Sequence, residues 1–293
     1  MPTQPSMTIA GRELAWGKRT YVMGILNITP DSFSGDGLMK DSDFVLRAIE
    51  QGQRFVQAGA DILDVGGEST RPGSQAVSGE AEIERVIPVI QALSRGTQAL
   101  LSIDTYKAAV ARAALDAGAH LINDVWGLRA DPAMARLAAD RKVPVILMHN
   151  RSRPSDTRLS ERLGGRYVGV EYDNLIEEIK TELLESVSLA QDAGVDEGKI
   201  ILDPGVGFGK TVEQNLEVLD RLSELSALGF PILVGPSRKS FIGFTLDVPP
   251  DQRLEGTAAA VAVAIARGAD IVRVHDVENM ARVARMTDAI VRR

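Results

Sequence analysis

The 293-residue chain contains no cysteine. That excludes a disulfide framework, thiolate metal sites and thiol catalysis, and it fits a reducing cytoplasm, the expected location. Histidine is scarce: His120, His149 and His275 share no metal-ligand spacing, so no zinc site is expected. A membrane span is missing too. The longest small-apolar run, Ala258–Ala266, is nine residues, against the roughly 20 needed to cross a bilayer. The N-terminal `MPTQPSMTIAGREL` has no apolar signal region. Positive charge is in deficit, with a net charge of -7, and a nucleic-acid partner is not expected. An anionic substrate remains compatible, provided the site gathers basic side chains locally.

What the chain does have is alternation. Eight short runs rich in Val, Ile and Leu read as buried strands: Tyr21–Ile28, Asp61–Gly66, Leu100–Asp104, His120–Val125, Val143–His149, Ile200–Asp203, Pro231–Gly235 and Ile271–Val274. Between them lie amphipathic helical stretches such as Asp43–Ala58 and Asn174–Asp192. Continuous apolar strands separated by helices imply a parallel sheet buried on both faces. Eight such units predict a (β/α)8 TIM barrel, with an open doubly wound sheet as the alternative. The N-terminal segment 1–20 reads as a hairpin capping the barrel bottom, and 21–293 as a single barrel domain. Two connections are long, `GESTRPGSQAVSGE` after the second strand and Asn150–Val170 after the fifth, and loops of that length tend to be functional.

Nearly every predicted strand ends in a polar residue: Asn27, Asp64, Asp104, Asn123 with Asp124, His149, Asp203, Ser237 to Lys239, and Arg273 with His275. Some of these are expected as helix caps, and Asp64 and Asp124 divide evenly between capping and function. Eight of eight exceeds what capping explains, because buried carboxylates are costly unless paired or bound. In a barrel these ends converge on the rim that carries active sites. `GVGFGKT` (205–211) imitates a phosphate loop, but Pro204 stands where that pattern needs glycine. It reads instead as a flexible loop with Phe208 exposed to a ligand. His120 and His149 read as structural.

Two basic clusters, `GPSRKSFIG` (235–243) and `RVHDV` (273–277), follow strands seven and eight, where barrels commonly hold phosphate. Arg273 and His275 are two apart on a strand and point the same way. Arg238 suits a surface role better than Lys239 or Arg273 does. Asp104, Asn123 and Asp203 can accept and donate along the edge of a polar heterocycle such as a pterin or a purine. The residues alone thus specify an anionic phosphate ester carrying a flat, hydrogen-bonding ring, and do not name the ring.

The segments `MGILNITPDSFS`, `DVGGESTRPG`, `SIDTYK`, `INDVWG`, `LMH`, `LDPGVGFGK`, `GPSRKSFIG` and `IVRVHDV`, in this order, resemble dihydropteroate synthases from Tyr21 onward. The resemblance implies condensation of (7,8-dihydropterin-6-yl)methyl diphosphate with 4-aminobenzoate, a Mg2+ cofactor, a homodimer built through late outer helices, and competition by sulfonamides. Carried over by motif, Asp104, Asn123, Asp203 and Lys239 would bind the pterin. Asn27, Arg273 and His275 would bind diphosphate, with Asn27 a ligand of the Mg2+. Phe33, Thr70, Arg71, Pro72, Phe208, Lys239 and Ser240 would enclose the aminobenzoate. Asp104, Lys239, Arg273 and Asp36 would act in catalysis. The chain departs from the family's common `DSFSDGG` in reading `DSFSGDG`, which moves the acid from position 35 to Asp36, and it has `MHNRSRP` where many members have `MHMQG`. A methyltetrahydrofolate:corrinoid methyltransferase would share the pterin-reading acids without needing the diphosphate cluster, and an inactive pterin-binding paralogue would have lost part of it.

Overall fold

The computed structural model describes residues 5–28, 41–69, 76–168 and 170–292, with the backbone alone at 41–43 and 154. Phe33, Asp36, Thr70, Arg71 and Pro72 lie outside the described residues. The chain opens with an antiparallel hairpin, β1 (Ser6–Ile9) and β2 (Arg12–Ala15). Ala10 and Gly11 at its tip both have positive φ, 46° and 79°, the twist that a two-residue hairpin turn requires. Then come β3 (Tyr21–Asn27), α1 (Asp41–Gln57), β4 (Ile62–Gly66), α2 (Gly79–Gly96), β5 (Leu100–Asp104), α3 (Ala108–Ala117), β6 (Leu121–Asp124), α4 (Ala133–Arg141) and β7 (Val145–Met148). A second hairpin, β8 (Thr157–Ser160) with β9 (Gly164–Tyr167), precedes α5 (Leu175–Asp192) and β10 (Ile200–Asp203). Helices α6 (Val212–Asp220) and α7 (Leu222–Ser226), strand β11 (Leu233–Val234), helices α8 (Ser240–Leu246) and α9 (Leu254–Ala266), strand β12 (Ile271–Val274) and helix α10 (Val277–Val291) complete the order.

The eight barrel strands pair in the order β10-β7-β6-β5-β4-β3-β12-β11, every neighbouring pair parallel. A parallel bridge between Leu202 and Ile232, with Leu202 N–H donating to Pro231 O at 2.9 Å, joins the two edges and closes the cylinder. The barrel is therefore the correct alternative, and the open sheet is not. The seventh strand is shorter than Pro231–Gly235, because Pro231 has no N–H to add to a ladder. Asn174, expected as the first residue of a helix, is instead its cap and accepts from Glu177 N–H.

The barrel floor shows why the hairpin belongs to the fold. Tyr21, Met23, Ile62, Leu100, Leu121, Ile146, Ile201, Leu233 and Ile271 form one buried cluster with Met7, Ile9, Leu14 and Trp16 of the hairpin. The first inward layer of the barrel is apolar and open below, and the hairpin covers it as predicted. The long Asn150–Val170 connection holds the second hairpin. Arg253 donates to Leu163 O at 2.8 Å, and the Arg166 guanidinium lies 4.6 Å from the Phe244 ring centre. Among the described residues no helix is long and apolar enough to cross a membrane.

Candidate active site

The site follows from the two-residue period of the strands. Stepping two residues up from the apolar floor layer reaches Asp64 from Ile62, Ser102 from Leu100, Asn123 from Leu121, Met148 from Ile146, Asp203 from Ile201, Gly235 from Leu233 and Arg273 from Ile271. One further step on β5 reaches Asp104. The inward face thus changes from hydrocarbon to polar in a single layer, at the carboxyl ends of the strands where sites of this fold lie.

Arg273 crosses this layer. Its Nε donates to Asp64 Oδ2 at 2.6 Å and its Nη2 to Asp104 Oδ2 at 2.5 Å. Two of the five guanidinium N–H groups are used, leaving three for a ligand. Asn123 Nδ2 donates to the same Asp64 oxygen at 3.0 Å, and Asp203 Oδ1 accepts from Gly205 N–H at 2.7 Å. Asp64 Oδ1 and Ser102 Oγ are buried without a hydrogen-bond partner. Orphaned polar atoms side by side at the centre of a barrel mark space for a polar guest.

The wall beside this layer is apolar. Val125, Met148 and Phe208 form a buried cluster, with Tyr106 and Trp126 packed against it. Lys239 Nζ lies 3.8 Å from the centre of the Phe208 ring, a cation–π contact. Gly207, at φ 82°, lets the two approach: a Cβ there would meet Lys239 Cδ at 2.7 Å. His275 contacts Ser237 Oγ at 3.1 Å through both its backbone N–H and Nδ1. Asn27 ends β3, aligned with Gly66 of β4, and Ser240 starts α8. Asp104, Asn123, Asp203, Lys239, Arg273, His275 and Phe208 are thus gathered on one rim.

A profile of the family described as pterin binding enzyme matches residues 23–275. The chain belongs to this family of pterin-binding enzymes. The dihydropteroate synthase of Clostridium beijerinckii is 50% identical over 288 residues, which is 98% of this chain and 100% of that one. The solved dihydropteroate synthase of Clostridium difficile, determined in the presence of pteroic acid, superposes with a TM-score of 0.85 at 49% identity, covering 95% of this chain and 99% of that one. That of Xanthomonas albilineans with 4-aminobenzoic acid gives 0.87 at 43% identity and 98% coverage of each.

In this pterin-binding barrel, burial sets the charges. It pushes the Asp104 carboxyl up to about 7, although Arg273 pulls the other way. It raises Asp203 to about 6, opposed by the Gly205 N–H and by Lys239. Burial alone would lower Arg273, but Asp64 and Asp104 outweigh it and keep the guanidinium charged.

Several sequence expectations need correction. Phe208 is not exposed; at 9% it is part of the buried rim cluster, because Lys239 and the strand ends cover it. Nor is its loop loosely held: Asp203, Asn215 and the buried Lys210 all bond it. Arg238 leaves the basic group and donates to Asp276 through Nε at 2.9 Å, the surface role it was better suited to. Asp124 is a turn anchor, accepting from Trp126 N–H at 2.8 Å and Leu128 N–H at 2.9 Å. Met148 and Lys210 were missed as parts of the site, and Asp64, left open between capping and function, belongs to it. The inward parity of Ile62 would have found Asp64, but parity is read only once the floor layer is known. Near the first long connection, Lys107 bridges Glu68 and Glu82, and Tyr106 Oη donates to Glu68 at 3.1 Å. A separate hollow of about 610 Å³ lies at the other end of the barrel. Among its lining cations Arg19 is paired with Asp61 and Arg282 with Glu278, so it is no extension of the rim.

Proposed function

We propose that this chain is a dihydropteroate synthase, transferring a pterinylmethyl group from its diphosphate to the amine of 4-aminobenzoate. The observation that carries the reading is Arg273 held between Asp64 and Asp104. One cation links the acids suited to a pterin edge to the side where an anionic leaving group would sit. The 50% identity with a dihydropteroate synthase over the full chain supports the same reaction.

The chemistry follows from the residues. The bond between the pterin methylene and the diphosphate oxygen breaks, and its electron pair leaves with diphosphate. The free N–H groups of Arg273, together with His275, offset the charge gathering on that oxygen. The methylene becomes cation-like, and Asp104 in its carboxylate form stabilises it. The arylamine nitrogen then forms the new C–N bond and gives up a proton to the departing diphosphate or to solvent. Asn123 and Asp203 fix the pterin edge. Lys239 over Phe208, with Ser240 at the start of α8, forms the aminobenzoate wall. Excluding water from the cation keeps hydrolysis from competing.

Asn27 would hold the Mg2+. Among the described residues no group of three His, Cys, Asp or Glu side chains could hold a metal ion. Mg2+ usually keeps several waters and takes substrate phosphate oxygens, and the Asn27 side-chain oxygen would be the ligand this chain supplies. When bound it would supply further charge neutralisation on the leaving diphosphate. A homodimer is part of the proposal, supported by exposed Val263 on α9 and by Met286, Ile290 and Val291 on α10.

The test is turnover. Purified chain with Mg2+, the dihydropterin methyl diphosphate and 4-aminobenzoate should release diphosphate and form 7,8-dihydropteroate. Pterin binding without release would favour the inactive paralogue, and methyl transfer from a methylated folate would favour the corrinoid-linked enzyme.

A further inference from the structure

The buried lysine of `GVGFGK` has no part in the chemistry above, yet it is among the largest fully buried side chains of the described residues, 1% exposed. Its Nζ has three partners: Gly205 O at 3.0 Å, Phe208 O at 3.2 Å and His149 Nδ1 at 2.9 Å. Burial pulls this amine down to about 7; in its ammonium form it has three N–H groups and no acceptor, and the three partners use all of them. This also sets the histidine tautomer. Nδ1 accepts, Nε2 carries the proton, and Nε2 faces Glu182 Oε2 at 3.2 Å.

Burying an ammonium is expensive, and a methionine would fill the same space without that cost. What a methionine cannot do is draw two loop carbonyls to one point. The loop they belong to is bonded at every other corner. Phe208 N–H donates to Gly205 O at 3.0 Å, Gly207 N–H to Asn215 Oδ1 at 2.5 Å, and Tyr172 Oη to Gly209 O at 3.1 Å. On its outer side the loop presents the Phe208 ring and the Gly207 Cα, and Lys239 rests on both. Five charged or titratable groups face Lys210: His149 from the end of β7, Asp203 of β10, Glu182 of α5, Arg151, and Lys239 across the loop.

We propose that Lys210 is a positioning residue for 4-aminobenzoate. By gathering the carbonyls of Gly205 and Phe208 it holds the Phe208 ring, and with it Lys239, at the place the arylamine substrate must occupy. The pterin side is built on β4, β5, β6 and β10 and meets this loop at the Gly205 N–H that Asp203 accepts, upstream of the contact between Phe208 and Lys239. This role rests on the synthase reading, and the experiment separates the two.

Steady-state kinetics of wild type and K210M, with each substrate varied in turn, make the test. Loss of a bond network of this size is expected to raise KM for 4-aminobenzoate about tenfold while KM for the pterin diphosphate stays within about twofold. A merely structural lysine would lower the active fraction and kcat without moving the ratio of the two KM values, and that result overturns the proposal. A wild type without turnover overturns the synthase reading and this role together. If circular dichroism shows K210M unfolded, H149L removes the partner that fixes Lys210 Nζ beneath the loop and so loosens its hold on both carbonyls. It should raise KM for 4-aminobenzoate by about threefold, the scale of one net hydrogen bond. An unchanged KM in H149L overturns the proposal equally.

Discussion

At the residue scale, the proposed chemistry depends on Asp104, whose environment sets its state, and on Asn27. Asp104 is 9% exposed and its carboxyl is pushed up to about 7, chiefly by burial. The carboxylate is the form that stabilises a cation-like methylene. As pH falls through 7 it takes up a proton and that stabilisation is lost, so kcat/KM for the pterin diphosphate should fall below pH 7 and level off above it. D104N should cost about 100-fold in kcat/KM and flatten that limb of the pH profile. A variant that retained the wild-type profile would assign the titration to another group. Asn27 belongs at the same scale. N27A should weaken Mg2+-dependent diphosphate binding by at least about fivefold while binding of a free pterin changes little, as read by calorimetry. Equal loss for both ligands would make Asn27 a structural residue.

At the element scale, the decisive segment is the turn after β10. Gly205 has φ 69°, and a Cβ there would lie 1.8 Å from the His149 carbonyl oxygen. No rotation of a side chain relieves a contact between Cβ and backbone. G205A should therefore cost roughly 3 kcal/mol or more of stability, measured by denaturant unfolding. A cost under about 1 kcal/mol would mean that the turn relaxes freely, and the account of a rigid rim loop would fail with it. The strand spans were legible in the sequence because buried parallel strands are continuous apolar runs, and the apolar runs were long enough to count. The β8–β9 hairpin was not legible: `TRLS` and `GGRY` carry no apolar run, and their pairing is held by contacts with Arg253 and Phe244 that lie far away in sequence.

At the scale of the whole molecule, the barrel is sealed at one end and chemically active at the other. Met7, Ile9, Leu14 and Trp16 cover the floor, and burial of each such side chain contributes about 1.5–3 kcal/mol. A chain beginning at residue 17 should melt well below the full chain and bind a hydrophobic dye, because its floor layer would meet water. An unchanged melting temperature would make the hairpin an appendage. Outside the barrel, exposed Val263, Met286 and Ile290 on the last two helices predict a particle of twice the chain mass in sedimentation, and M286E should shift it toward the monomer. A wild-type chain that sediments as a monomer at micromolar concentration would remove the dimer from the proposal.

The strand–helix alternation, the polar strand ends, and the gathering of basic residues after the last two strands were properties of the sequence by itself, because they depend on local period and residue type. Asp104, Asn123, Asp203, Lys239, Arg273 and His275 could be named from them. Which of two neighbouring acids faces the guest was decided only in three dimensions. Asp64 and Asp124 look alike in the chain, yet one meets Arg273 across the barrel and the other ties two backbone N–H groups of its own turn. Lys210 makes the same point. Its neighbours in sequence mark a glycine-rich loop, whereas its work depends on His149, and through it Glu182, brought beneath that loop from another strand and another helix. Partnership across the barrel is a matter of closure, and closure is what a linear pattern does not contain.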